Sequence, residues 1–237
     1  MSLASNYKAS LSQGRLCYNT LGDMSKVDRV CDALDREYGR PEWTRRERVL
    51  DELIYTILSQ NTTAKNCEQA FRTLSERFVT WDEARLAPWQ EIAEAIRVGG
   101  LADQKAPRIR RILEEIHERQ RNLDLEWIAD APDNEAINYL MAFDGVGRKT
   151  AACVLMFGLG RPVMPVDTHV HRVATRLGLI ERTTADKAHD LLRAIVPPDR
   201  VYSCHVNLVT HGRVACHARG PECGRCVLRD DCDYMSC

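Results

Sequence analysis

One lysine, one aspartate and four cysteines stand where their types and spacing could do chemistry. Lys149 follows Gly145-Val146-Gly147-Arg148 and opens a run of small and apolar residues, Thr150-Ala151-Ala152-Cys153. An amine in the first turn of a helix is either a nucleophile for an electrophilic carbon or a cation beside a bound phosphate. Asp167 sits in Pro165-Val166-Asp167-Thr168-His169, directly before a helical pattern. Its simplest role is an N-cap, and a cap also fixes a carboxylate in place. Cys216, Cys223, Cys226 and Cys232 form C-x6-C-x2-C-x5-C near the end of the chain. In an intracellular protein such a cluster reads as a metal site more readily than as a disulfide framework. Four thiolates accept either zinc or an iron-sulfur cluster.

The glycines flanking Val146 bring no Cβ into the turn, so its backbone is free to take positive φ and approach a ligand closely. Amides exposed at the following helix start, helped by the helix dipole, make an anion site for which phosphate is the natural guest. The remaining cysteines divide simply. Cys17, Cys31, Cys67, Cys153 and Cys204 are scattered through helical patterns and read as small buried hydrophobes, and Cys237 as a free terminal thiol. His169 and His171 read as ordinary histidines on a helix, without a catalytic role.

These residues need helices to hold them. After Ser25 as a cap, Val27, Val30, Cys31, Leu34 and Tyr38 recur at three and four residues, and 39–41 ends that helix. Residues 46–60 carry Val49, Leu50, Leu53, Ile54 and Ile57 on one face, and Thr62-Thr63 starts another helix with Cys67, Ala70, Phe71 and Leu74 inward. Short segments are expected at 81–86 and 88–97, then a break at Gly99-Gly100 and a long charged helix over 103–121. Asp133 is placed to cap 134–143, and helices at 168–177, 185–195 and 200–211 complete the chain. No alternating strand pattern, repeat or low-complexity tract interrupts this, so the expected fold class is all-α, as two helical lobes sharing a cleft. Residues 1–23 lack periodicity and read as a loose extension.

Composition limits the partners. The chain has 237 residues, 44% apolar and 28% charged, with a net charge of -1. It is no uniformly basic nucleic-acid binder, but residues 145–229 hold thirteen Lys/Arg against six Asp/Glu, a local balance of +7 that leaves -8 elsewhere. One end is built to meet a polyanion. No apolar run of signal-peptide or membrane-spanning length occurs, which gives the expectation of a soluble, cytoplasmic protein without membrane contact.

Three patterns in this order, Gly145-Val146-Gly147-Arg148-Lys149-Thr150-Ala151, Val166-Asp167-Thr168-His169 and the C-terminal cysteines, resemble the endonuclease III branch of the helix-hairpin-helix DNA glycosylases over about residues 25 to 235. The resemblance implies a six-helix barrel domain with the hairpin (44–163) and an iron-sulfur cluster domain (24–43 and 164–237) flanking a DNA-binding cleft. It implies a monomeric bifunctional base-excision enzyme acting on double-stranded damaged DNA, with oxidised pyrimidines as substrates. Lys149 would attack the sugar, and Asp167 would deprotonate or orient it and stabilise developing positive charge. A 4Fe-4S cluster on Cys216, Cys223, Cys226 and Cys232 follows from the same resemblance, since only one short Cys pair is present where zinc sites more often show two.

Gly145, Val146, Gly147 and Arg148 would hold the DNA backbone, with Arg219, Arg225 and Arg229 positioned near phosphates by the ligated turn. A glycosylase must extrude its target nucleotide and fill the gap. Gln60 or Asn61 is the implied plug, and Leu101, between glycines and a helix start, a candidate wedge. The chain departs from the family in carrying Phe143-Asp144 where Leu-Pro is usual. Asp144 puts negative charge near the phosphate site, unless it caps the second hairpin helix, and predicts weaker DNA binding or altered lesion preference. Two other readings stay open: a monofunctional or mismatch-directed glycosylase on the same fold, and a non-enzymatic iron-sulfur DNA-binding protein.

Overall fold

A computed structural model of the chain describes residues 24–45 and 48–235. Its regular elements are helices, and no strand occurs among the described residues. In order they are α1 (Lys26–Tyr38), α2 (Val49–Leu58), α3 (Ala64–Arg77), α4 (Trp81–Leu86), α5 (Trp89–Ala95), α6 (Ala102–Gln120), α7 (Asp133–Met141), α8 (Arg148–Cys153), α9 (Thr168–Leu177), α10 (Ala185–Ile195) and α11 (Val201–Val214). None is long and apolar enough to cross a membrane. Cys17, Cys237 and the 1–23 extension lie outside the described residues.

Two hydrophobic cores divide the helices. The first gathers α2 to α8 around α2, whose Val49, Leu50, Leu53, Ile54, Ile57 and Leu58 are all buried. Its Asp51, Glu52 and Tyr55 stay partly exposed, so α2 turns one broad apolar face inward, as the sequence pattern implies. The second core joins α1 to α9, α10 and α11 through Val30, Leu34, Val170, Val173, Leu192 and Leu208. The chain thus leaves the second lobe after α1, builds the first, and returns.

The crossing is made by α8, which runs on as a π-helical turn over Val154–Gly158. Leu155 packs in the first core, Met156 in the second, and Phe157 turns into the space between them. A π turn adds one residue per turn and is common beside functional sites. Here it lets successive side chains serve two lobes and the cleft.

Caps agree with the sequence at Ser25 and Thr63, whose hydroxyls accept from the amides of Asp28 and Asn66 at 3.2 Å each. Asp133 differs: α7 begins at Asp133 itself with Pro132 at the cap. Its carboxylate instead bridges Arg161 at 2.5 Å and Arg193 at 2.8 Å, joining the two lobes. Two arginines offer more than one amide to a carboxylate that is 19% exposed.

Candidate active site and DNA-facing loops

A cleft of about 640 Å³ opens between the lobes, and Lys149 and Asp167 both line it. Each wall is one helical stripe. Helix α2 supplies Glu52, Tyr55 and Thr56; α8 and its π turn supply Lys149, Cys153 and Phe157 at four-residue spacing; α11 supplies Tyr202, His205, Val209 and Arg213. Ser59, residues 61–64 and Trp43 close the rim.

Lys149 occupies the first turn of α8 and is half-buried. Asp167 caps α9, its Oδ1 accepting from the amides of His169 at 2.9 Å and Val170 at 2.8 Å. Two amides converging on that one oxygen fix the carboxylate at a helix N-terminus, where negative charge is favoured. The cap and the site residue are the same group.

The segment carrying Asp167 is fixed from behind. His205 Nδ1 donates to the Pro165 carbonyl at 2.9 Å and His189 Nδ1 to the Met164 carbonyl at 3.0 Å. Carbonyls only accept, so each Nδ1 carries the proton and each Nε2 keeps its lone pair. Burial lowers the His205 pKa to about 4, with Asp167 opposing and Lys149 reinforcing that shift. Neutral His205 therefore presents an acceptor to the cleft. Burial also raises the Cys153 thiol to about 11, against the opposing influence of Lys149. Cys153 is buried as the sequence implied, but it also lines the cleft.

Trp43, Phe157 and Tyr202 form an aromatic wall. Trp43 Nε1 donates to the Phe157 carbonyl at 2.8 Å, and Phe157 meets Tyr202 and His205 edge-on at 5.9 and 5.7 Å. This wall, Glu52, His205 and Arg213 were missed in the sequence. They come from segments with no motif, and only the three- and four-residue spacing on α11 hinted at a shared face.

In the hairpin, Gly145 has φ +74°, whereas Gly147 is extended and caps α8. A Cβ on Gly145 would come 2.3 Å from Arg108 Nε, so this glycine makes room for a guanidinium and not for a ligand. A Cβ on Gly147 would meet nothing within 4 Å, so the side of that residue where a side chain would stand is open. Val146 is buried in the first core.

Asp144 does not cap α8, which has no side-chain cap. It faces α6 instead, 3.3 Å from Arg111 and 3.8 Å from Arg108. A carboxylate between two guanidiniums is held there by charge, and its negative field at the hairpin is largely neutralised. Arg148 is also committed: it grips Asp190 of α10 through both carboxylate oxygens and reaches the Asp186 carbonyl at 3.0 Å.

The two plug candidates separate. Gln60 Nε2 reaches toward the Gly145 carbonyl and Thr150 Oγ1, each at 3.4 Å, and so ties its loop to the hairpin. Asn61 is exposed, takes left-handed backbone at φ +53° and lines the cleft. Leu101 is also left-handed, at φ +53°, and 45% exposed at the start of α6. His169 lines the cleft and contacts Arg172 at 3.1 Å, while His171 Nε2 lies 2.9 Å from the Thr183 carbonyl.

The four clustered cysteines line one small cavity between α9, α11 and the C-terminal turns. They do not close to the spacing of a single ion's ligands. Positive and N–H groups point at their sulfurs: Arg176 Nη1 lies 3.3 Å from Cys216 Sγ and the Leu228 amide 3.4 Å from Cys226 Sγ. Four thiols lining one cavity, with two N–H donors directed at their sulfurs, form a donor set of the kind that holds a thiolate-ligated group. Arg225 pairs with Glu222, and Arg219 and Arg229 are exposed without an ion pair among the described residues.

Helical lobes, a Gly-Val-Gly hairpin and a lysine and an aspartate lining one cleft define a class, and sequence comparison agrees: the profile of the HhH-GPD superfamily of base excision DNA repair proteins matches residues 54–198. A DNA glycosylase candidate of Arabidopsis thaliana is 38% identical over 177 residues, 74% of this chain but 60% of its own length. Endonuclease III of Thermotoga maritima is 34% identical over 182 residues, 77% of this chain and 81% of that protein. A solved non-covalent endonuclease III–DNA complex superposes with a TM-score of 0.75 at 26% identity, covering 90% of this chain and 98% of that one. The chain belongs to the endonuclease III family within this superfamily.

Proposed function

We propose that this enzyme is a bifunctional DNA glycosylase and AP lyase that acts on oxidised pyrimidines in duplex DNA. The observation that carries the reading is that Lys149 and Asp167 line one and the same cleft. Lys149 Nζ donates its lone pair to C1′ of the extruded nucleotide, and the glycosidic C1′–N bond breaks with its electrons leaving on the base. The sugar ring opens to a Schiff base. Loss of a C2′ proton then expels the 3′ phosphate by β-elimination, and water hydrolyses the imine to release Lys149. Asp167, oriented by its two cap bonds, stabilises positive charge developing at the sugar.

Gly147 and the α8 amides grip a phosphate, Asn61 fills the vacated space, and Leu101 wedges the stack. Gln60 braces the plug loop on the hairpin. Arg219 and Arg229 remain available to phosphates, whereas Arg148 and Arg225 serve through their ion pairs. Cys216, Cys223, Cys226 and Cys232 would hold a 4Fe-4S cluster, which supplies a structural and electrostatic anchor when bound. A monomer on double-stranded DNA completes the reading.

The test is a panel of duplexes bearing thymine glycol, other oxidised pyrimidines, a G·T mismatch and a bare abasic site. Strand scission at oxidised pyrimidines and at the abasic site is expected. Base release without scission would leave a monofunctional glycosylase, and binding without either would leave a non-catalytic DNA-binding protein.

A further inference from the structure

Lys105 lies on the first turns of α6 and is only 2% exposed, among the largest fully buried side chains of the protein. No carboxylate pairs with it among the described residues. Its Nζ instead donates to two backbone carbonyls, Leu58 at 2.7 Å and Gly99 at 3.1 Å. Burial lowers its pKa from the ordinary lysine value.

Both carbonyls are chain ends that a helix leaves unsatisfied. Leu58 is the last residue of α2, and Gly99 closes the short 3-10 turn Arg97–Gly99 before α6. Neither accepts a backbone amide outside a helix among the described residues. A buried carbonyl must be paired, and one ammonium with three donors pairs two of them at once.

The positions of these ends give the contact its meaning. Three residues later than Leu58 comes Asn61, and two later than Gly99 comes Leu101. These are two of the three non-glycine residues with left-handed backbone among the described residues. Such a conformation persists only where surrounding contacts over-determine it. Gly99 is held from its other side as well, since a Cβ there would sit 2.9 Å from the Ala70 Cβ of α3.

We propose that Lys105 is a positioning residue that ties the Asn61 loop to the Leu101 loop, so that plug and wedge enter DNA as one unit. Without its ammonium the two left-handed residues lose their common support, and each loop relaxes independently. This inference rests on the assignment of Asn61 and Leu101 to gap filling, and it concerns insertion and not bond cleavage.

The experiment uses the full chain and a duplex carrying a tetrahydrofuran abasic analogue opposite 2-aminopurine, whose fluorescence rises on unstacking. Lys105→Met should slow the rise about tenfold or more, the loss that broken hydrogen bonds to a charged donor carry. Its affinity for undamaged duplex should stay at the wild-type value, because the hairpin grip is untouched. Asn61→Ala and Leu101→Ala should each slow the rise alone yet add little in the Lys105→Met background. Insertion at wild-type speed, a proportional loss on undamaged DNA, or full additivity would overturn the proposal. Silent Asn61→Ala and Leu101→Ala variants would remove the gap-filling assignment, and the proposal with it, without touching the Lys149 chemistry. Hydrogen exchange on the wild-type chain needs no variant: residues 58–61 and 99–105 should gain protection together on binding the abasic duplex. Protection of one segment alone would contradict the tie.

Discussion

At the residue scale the account turns on Asp167 and His205. Asp167→Asn keeps an oxygen for the α9 cap and removes the charge, so the fold should survive while single-turnover base release falls about 10²- to 10⁴-fold, the range of a positioned catalytic group. Loss of folding together with activity would instead make the cap its whole role. His205 gives a pH prediction. Its folded pKa is about 4 against an ordinary value of 6.5, so between those values the unfolded chain binds the proton and the folded chain does not. Stability from this group is therefore full above about pH 6.5 and declines as pH falls toward 4, by up to about 3 kcal/mol. Urea midpoints across that window should fall more steeply for wild type than for His205→Gln, and parallel curves would contradict the buried neutral imidazole.

At the scale of the element, the hairpin is more constrained than its sequence suggested. In sequence Asp144 is a charge opposed to phosphate or a helix cap, because no local pattern names a partner 33 residues away. Across space that partner is Arg111, with Arg108 beside it. Asp144→Pro should release both guanidiniums toward the DNA backbone, raising affinity and steepening the log-affinity against log-salt slope by about 0.9 per new phosphate contact. An unchanged slope would mean that the arginines reach no phosphate. Helix identities were legible throughout, since three- and four-residue periodicity survives in α1, α3, α6 and α9. The π turn was not, because nothing in Val154-Leu155-Met156-Phe157-Gly158 distinguishes an added residue per turn from a regular helix. Helix α2 was legible: Leu53 stands on the apolar face that the pattern marks, and that face is buried in the first core. Leu53→Ala should cost about 2–5 kcal/mol in denaturant unfolding, and a loss below 1 kcal/mol would place it outside the core.

At the scale of the molecule, the motifs marked Lys149, Asp167 and the clustered cysteines, while the cleft walls came from packing two lobes together. Glu52, Tyr202 and His205 are 153 residues apart at their extremes and share one surface only because α2 and α11 belong to different cores. The C-terminal turns are fastened to α1 by Lys26–Asp233 at 2.6 Å and Arg29–Asp231 at 2.7 Å. Exposed ion pairs of this kind are weak, so the cluster proposed for the four cysteines should dominate the stability of that end. Metal analysis of the purified chain should find iron with acid-labile sulfide, and its removal should expose the C-terminal turns to proteolysis. Zinc without iron would assign the cysteines to a different metal.

The central claim is that Lys149 becomes covalently joined to the sugar. Borohydride reduction during reaction with a thymine glycol duplex should yield a stable protein–DNA adduct, with peptide mapping placing the linkage on Lys149, and the Lys149→Gln chain should yield none. An adduct mapped to another amine, or strand scission by Lys149→Gln at the wild-type rate, would contradict the account.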